Sequence, residues 1–258
     1  MSEGIKISSI IIAKDEEANI GRCIESQLDC IDEIIIIIDS KTTDKTEEIV
    51  KSYPEVKYEV RDWMGYSKTK QYAIEKTSNE WIFWIDADEA VRPELAEEIL
   101  EIKKTVPKYT VWSVARRAYF LDKWIRYSGW YPGRVERFFN KNKAVFSDSD
   151  VHEHLVYDGA CGRFKNDLDH FTDPNIFHYF EKFNNYTSLA ALEMNKKNKK
   201  VKLSDIIIRP VYMFIKMYIL RRGILDGSHG LILAMLSSAY VFTKYSKLWE
   251  IQIKEELK

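Results

Sequence analysis

Asp86 and Asp88 stand one residue apart at the end of an apolar run, in "WIFWIDADEA" (81–90). Two carboxylates so placed can present oxygens to a hard divalent ion such as Mg²⁺ or Mn²⁺, which keeps waters and takes its other ligands from substrate phosphates. Two further apolar runs end alike: Lys14, Asp15, Glu16 and Glu17 follow "ISSIIIA" (7–13), and Asp39 follows "IIIII" (34–38). Taken singly, Asp39 or Asp86 reads as a turn or cap residue. Carboxylates gathered on one rim raise one another's pKa unless a cation is present.

The elements that must carry these acids alternate. The two β-branched runs, "VKYEV" (56–60) and "WIFWI" (81–85) read as strands, the most apolar of them buried on both faces of a parallel sheet. Between them, Ile20, Cys23, Ile24, Gln27 and Leu28 fall at helical spacing, and residues 66–77 read as a helix. Asp44 is expected to cap "TTDKTEEIV" with Glu47 in capping-box position, and Pro93 opens "PELAEEILEIKK". This alternation predicts a doubly wound, mostly parallel α/β domain, whose ligands bind at the carboxyl ends of the strands. "YTVWSVARRAYF" reads as one more strand, and 119–172 as loops and short strands over a site. Helices follow from 175. The expected divisions are 1–106, a nucleotide-binding half; 107–174, an acceptor-side half; and 175–258, a helical extension.

Bulk properties narrow the class. In 258 residues, 39 Lys and Arg balance 40 Asp and Glu, so no global field points to nucleic acid. Cys23, Cys30 and Cys161 are an odd set without a CxxC pair and read as reduced thiols. The N-terminal "MSEGIKISSIIIAKDEE" has no basic n-region or cleavable h-region, so the expected location is cytoplasmic. "GLILAMLSSAYVFT" (230–243) is too short to span a bilayer.

The ordered segments "SSIIIAKDEEANIGRCIES", "DEIIIIIDSKTTDKTEEI", "WMGYSKTKQYA" and "WIFWIDADEAVRPEL", followed by "GWYPGRVERFF", "DVHEHL" and "RRGILDGSHGL", resemble the family 2 inverting glycosyltransferases of GT-A fold. The branch they resemble is that of the bacterial lipopolysaccharide-core β-glucosyltransferases. The resemblance implies a nucleotide site at Ala13, Glu16, Asp39, Lys70 and Asp86, with Asp88 as metal ligand for Mg²⁺ or Mn²⁺. It departs at Asp15, where the family has asparagine, at Lys41, where it has glycine, and at Thr69 and Gln71, which flank the matching Lys70 where the family often has Gln-Lys-Asn.

An inverting transfer needs a base on the acceptor side. Glu136, Asp148, Asp150, Glu153, Asp158 and Asp167 qualify by type, and the likeness of "DVHEHL" to the family's acceptor-side His-Glu selects Glu153. His152 and His154 lack the spacing of a zincin helix. Among Trp130, Tyr131, Arg134 and Arg137, Trp130 is the expected acceptor-binding ring. "SDIIIRPVYMFIKMYILRRG" is apolar nearly all round with basic ends, which suits peripheral membrane contact through 203–245 or packing on a second subunit.

The implied partners are a UDP-hexose, glucose first, and a glycan or lipid-linked glycan acceptor at the inner face of the cytoplasmic membrane. A sugar nucleotidyltransferase would need a Gly-rich loop where "AKDEEAN" stands, and a non-catalytic scaffold would be expected to lose the strand-end acids.

Overall fold

The computed structural model describes residues 4–147 and 154–256. The chain divides into two units, Met1–Arg116 with Gly133–His170, and Arg117–Pro132 with Phe171–Lys258.

The first unit begins with the predicted alternation: β1 (Ile7–Ala13), α1 (Ile20–Glu25), β2 (Glu33–Asp39), α2 (Thr46–Lys51), β3 (Val56–Arg61), α3 (Tyr66–Glu75) and β4 (Trp81–Trp84). β5 (Glu89–Val91), α4 (Pro93–Lys103) and β6 (Val111–Phe120) follow. The four parallel strands lie in the order β3-β2-β1-β4, so the chain reverses its direction of sheet growth between β1 and β4. That reversal opens a crevice at their carboxyl ends.

The isoleucine run of β2 shows why the sheet is covered twice. Ile34, Ile36 and Ile38 join Ile20, Cys23 and Ile24 of α1 and Leu95 and Ile99 of α4 in one core. Ile35 and Ile37 point the other way, into a second core with Ala73 and Ile74 of α3. Period-two geometry splits one apolar run between two layers, each buried isoleucine contributing about 1.5–3 kcal/mol. The doubly wound α/β expectation is borne out.

Beyond β4 the sheet turns antiparallel through β8 (Gly133–Asn140), then β6, then β11 (Cys161–Asp173) and β5. Here the expected loops and short strands give way to strands of 8 and 13 residues. β9 (Ala144–Phe146) and β10 (Leu155–Tyr157) form a separate hairpin ladder. Because β8 runs against β4, and β6 against β8, Gly133 and Arg116 come to the edge where β1 and β4 end.

In the second unit, β7 (Lys123–Trp124) pairs with the end of β6. Helices α5 (Ile176–Lys196), α6 (Leu203–Ile215) and α7 (Ser228–Glu256) follow, with a π-helical turn at Lys216–Leu220 and a 3₁₀ turn at Gly223–Asp226 joining α6 to α7. One core gathers Phe120, Ile125, Met217, Leu233 and Ala234, and another Ala191, Val241, Tyr245 and Leu248.

Candidate active site

The loop after β1 is stitched to the loop before α2. Asp15 accepts from the Thr43 amide (2.7 Å), Glu17 from the Lys45 amide (3.0 Å), and the Thr46 hydroxyl accepts from the Glu16 amide (2.7 Å). Asp15 sits at φ 53°, a left-handed conformation that asparagine and aspartate tolerate, which accounts for its exchange with the family's asparagine. Asp44 does not form the expected capping box. Its carboxylate accepts from Thr46 (amide, 2.9 Å) and Glu17 (amide, 2.8 Å), while Glu47 pairs forward with Lys51. Much of the acid in this loop is thereby structural. Ala13, the buried last residue of β1, Glu16 and Asp39 remain on the rim; Asp39 also accepts from the Lys41 amide (3.0 Å).

The D-x-D segment is held by a network that the sequence did not disclose. Arg137 of β8, 1% exposed, reaches Asp86 at 2.5 Å and Glu89 at 2.6 Å with one nitrogen. Glu89, equally buried, also meets Arg116 (3.5 Å) and accepts from the Asp86 amide (3.1 Å). Glu89 is thus a buried counter-charge to two arginines, in a strand, β5, that pairs it opposite His170 of β11. Arg92 stands at the N-cap position of α4 without a side-chain cap and pairs with Asp169 at 3.2 Å. Buried ions of this kind persist only when paired and hydrogen-bonded.

Lys70, buried on α3, lies 3.7 Å from the centroid of Trp84, and the Arg137 guanidinium lies 3.6 Å from it. Two cations that close to one ring would collide on a single face, so the indole is held between them. Burial pushes the Asp86 carboxyl up, but the positive charges of Arg137 and then Lys70 outweigh it and hold its pKa well below the ordinary carboxylate range. Asp86 is therefore an ionised acceptor at neutral pH. Beneath it, Cys23 donates weakly to the Asp86 carbonyl; burial and the charge of Glu89 raise its thiol well above the usual range, so it remains a thiol.

Asp88, partly exposed, faces the imidazole of His170 at 3.4 Å. Two adjacent donors, one carboxylate and one imidazole, fit a divalent ion that completes its shell from phosphate and water. Among the described residues no cluster of three or more such side chains forms a closed metal cage. The pairing of β11 with β5 brings His170 to Asp88, a contact between residues 82 positions apart.

A cavity of about 660 Å³ is lined by Trp84, Glu136, Phe146, His154, Cys161 and Arg163 among others. Glu136 accepts from the Tyr157 hydroxyl at 2.8 Å. Arg134 donates to the carbonyls of Ser113 and Phe164. A cavity of about 510 Å³ around Asn79, Trp81 and Asn140 lies at the opposite, amino-terminal end of β4, away from the strand-end acids. Trp130 belongs to the second unit, where it packs edge-on against Phe120 (6.3 Å). Glu153, with Asp148, Asp150 and His152, lies outside the described residues.

Comparison with known proteins agrees with this arrangement. The profile described as Glycosyl transferase family 2 matches residues 8–171. The lipopolysaccharide core biosynthesis glycosyltransferase LpsC of Rhizobium meliloti is 32% identical, covering 95% of this chain and 93% of its own. An uncharacterized glycosyltransferase of Rickettsia typhi is 29% identical over 96% and 88%. The crystallised mannosyltransferase PcManGT of Pyrobaculum calidifontis, in complex with GDP-Man and Mn²⁺, superposes with TM-score 0.53 at 12% identity over 96% and 88%, and so shares the fold. With the strand-end acids, the sheet reversal and these matches together, the chain belongs to glycosyl transferase family 2, is a glycosyltransferase, and has the GT-A fold.

Proposed function

We propose that this glycosyltransferase transfers a hexose, with inversion, from a UDP-sugar to a lipopolysaccharide-core or other surface-glycan acceptor, UDP-glucose being the first donor to test. The observation that carries the reading is Asp86 and Asp88 at the sheet reversal, one held ionised by Arg137 and Lys70, the other beside His170. Asp86 accepts from a hydroxyl of the nucleotide's ribose, Glu16 and Asp39 line the base and ribose side, and Lys70 adds positive charge toward the diphosphate. Mg²⁺ or Mn²⁺ held by Asp88 and His170 supplies charge neutralisation for the diphosphate when bound. Glu153 takes the proton of the acceptor hydroxyl as its oxygen bonds to the anomeric carbon and the bond to UDP breaks, which inverts that centre. The kinship with LpsC supports the acceptor class.

The acceptor reading includes an anionic membrane surface. Ile207, Ile208, Val211, Tyr212, Ile215 and Ile219 recur on one face of α6 and its π-helical continuation, 43–63% exposed. Of the charges in 199–232, the acids Asp205 and Asp226 are buried, while Arg221 and Arg222 stay exposed. An apolar stripe bordered by outward cations suits lipid headgroups, and two copies meeting through it would bring like charges together. No described helix is long and apolar enough to cross a membrane.

A panel of nucleotide sugars with Mn²⁺, Mg²⁺ or EDTA tests the donor. UDP release and thermal stabilisation are expected with UDP-glucose plus metal, and equal responses to GDP- and UDP-sugars would refute the donor class. Glu153→Gln is expected to keep UDP affinity while transfer falls by roughly 10²–10⁴; retained transfer moves the base elsewhere.

A further inference from the structure

A cavity of about 420 Å³ lies wholly within the second unit, walled by Trp130, Tyr179 and Tyr240 and by the cations Lys216, Arg221 and Lys244. Its cations come from two places: Lys216 and Arg221 from the π-helical turn and its end, Lys244 from α7. On the same helices Arg209 is paired with Asp205 and Lys254 with Glu250, and Lys247 is held by neutral oxygens of Asn184, Thr187 and Ser188. None of the three in the cavity has a carboxylate partner among the described residues.

The cavity is built rather than incidental. The Ser128 amide donates to the Arg221 carbonyl at 3.0 Å, tying the loop that carries Trp130 to the end of the π-helical turn. Gly129, at φ 82°, lies against the aliphatic stem of Arg221, and a side chain there would strain the backbone. Phe120 sits edge-on to both Trp130 and Tyr179, and Phe183 edge-on to Tyr240, which fixes the three rings of the wall. Ser128, 4% exposed, is a lining residue whose hydroxyl is itself buried against Gly223 without a hydrogen-bond partner. Three cations without a carboxylate among the described residues and three rings in one concavity suit an anion carried on an apolar or sugar group.

We propose that this cavity binds the phosphate of a phosphate-bearing ligand, with Lys216, Arg221 and Lys244 meeting the phosphate and the rings of Trp130 and Tyr240 packing on the group that carries it. Half-burial and the like charge of Arg209 push the Lys244 ammonium below its ordinary pKa, the strain that a bound anion relieves. Tyr240 stands 5.7 Å from the Lys244 ammonium, so charge and ring act on one ligand. The phosphate can come from a phosphorylated glycan or from a lipid headgroup. As an acceptor subsite the cavity rests on the acceptor proposed above; as a phosphate site it does not, and the two are tested apart.

The test is titration of the full chain, with UDP and metal present to occupy the donor site, using inorganic phosphate, a hexose phosphate and the unphosphorylated hexose. Sedimentation with vesicles of phosphatidylcholine alone or mixed equally with phosphatidylglycerol forms the second arm. The double substitution Lys216→Gln with Lys244→Gln is expected to weaken phosphate-dependent binding at least roughly tenfold. Arg221→Lys, which keeps the charge, retains most of it, and the exposed pair Lys199→Gln with Lys200→Gln changes nothing. Loss confined to the hexose phosphate identifies a glycan source, and loss confined to the anionic vesicles a lipid source. The proposal is overturned if wild type binds none of the phosphate-bearing probes, or if the exposed pair weakens binding as much as the cavity pair. UDP binding by the wild type is scored separately, so failure of the donor reading is not mistaken for failure of this site.

Discussion

At the carboxyl ends of β1 and β4, Arg137 leans on Asp86 and Glu89; in the cavity of the helical unit, Lys216, Arg221 and Lys244 have no carboxylate among the described residues. In the first region Asp86 and Glu89 already have their counter-charge. Its charges support one another, so its geometry exists before any ligand arrives, as preorganised electrostatics require. The second is left positive, and only a ligand can complete it. One region thus uses charge to position, the other to attract. Substitution of a cation should have opposite consequences in the two.

The largest effect is expected from Arg137→Met, which strands Asp86 and Glu89. Urea unfolding should show a loss of about 3–5 kcal/mol, and the Asp86 carboxyl should titrate higher, because its chief counter-charge is gone. Next, Glu89→Gln leaves Arg137 and Arg116 with one fewer acid and should cost about 2–3 kcal/mol. A fully folded, fully stable Arg137→Met protein would dissolve the distinction between the regions.

A third effect separates the sheet's anchoring from its chemistry. Glu33, at the start of β2, takes hydrogen bonds from Ser8 (2.5 Å), Lys57 (2.7 Å) and the Ser78 amide (2.7 Å). Burial would raise its pKa, but these bonds hold it at about 2. A depressed carboxyl pKa contributes stability that is full above the unfolded value near 4.5 and is lost as pH falls toward about 2. Denaturation midpoints measured across that window should fall in wild type and fall less in Glu33→Gln. The smallest effect is expected in the cavity: without an anion, Lys244→Gln should change stability by no more than about 0.5 kcal/mol, and in the stabilising direction, since a half-buried charge beside Arg209 is removed.

The parallel half of the sheet was legible because β1 and β2 are runs of isoleucine, and a strand covered on both faces leaves a continuous apolar signal. The antiparallel half was not. β11 alternates exposed Arg163 and Lys165 with buried Gly162 and Phe164, and Gly162 allows the close approach of Trp112 instead of showing a large apolar residue. Its inward slots therefore look polar or empty in sequence. The same long-range pairing hid Glu89 and His170, whose meaning depends on β5 lying against β11. Asp86, Asp88 and Lys70 were visible from the strand end and the family resemblance. Arg137 was visible as a residue, but its partners, Asp86 and Glu89, lie some fifty positions away and follow only from β8 running against β4.

The central claim, that the strand-end acids hold a metal and a nucleotide together, is tested most directly by thermal melting of wild type and Asp88→Asn with UDP, with and without Mn²⁺, and with EDTA. Wild type should be stabilised by UDP and Mn²⁺ together, by about 2.7 kcal/mol at a ligand concentration about a hundred times Kd. EDTA should remove that increment, and Asp88→Asn should melt as apo wild type does but lack it. An Asp88→Asn protein that keeps the full metal-dependent increment would contradict the account.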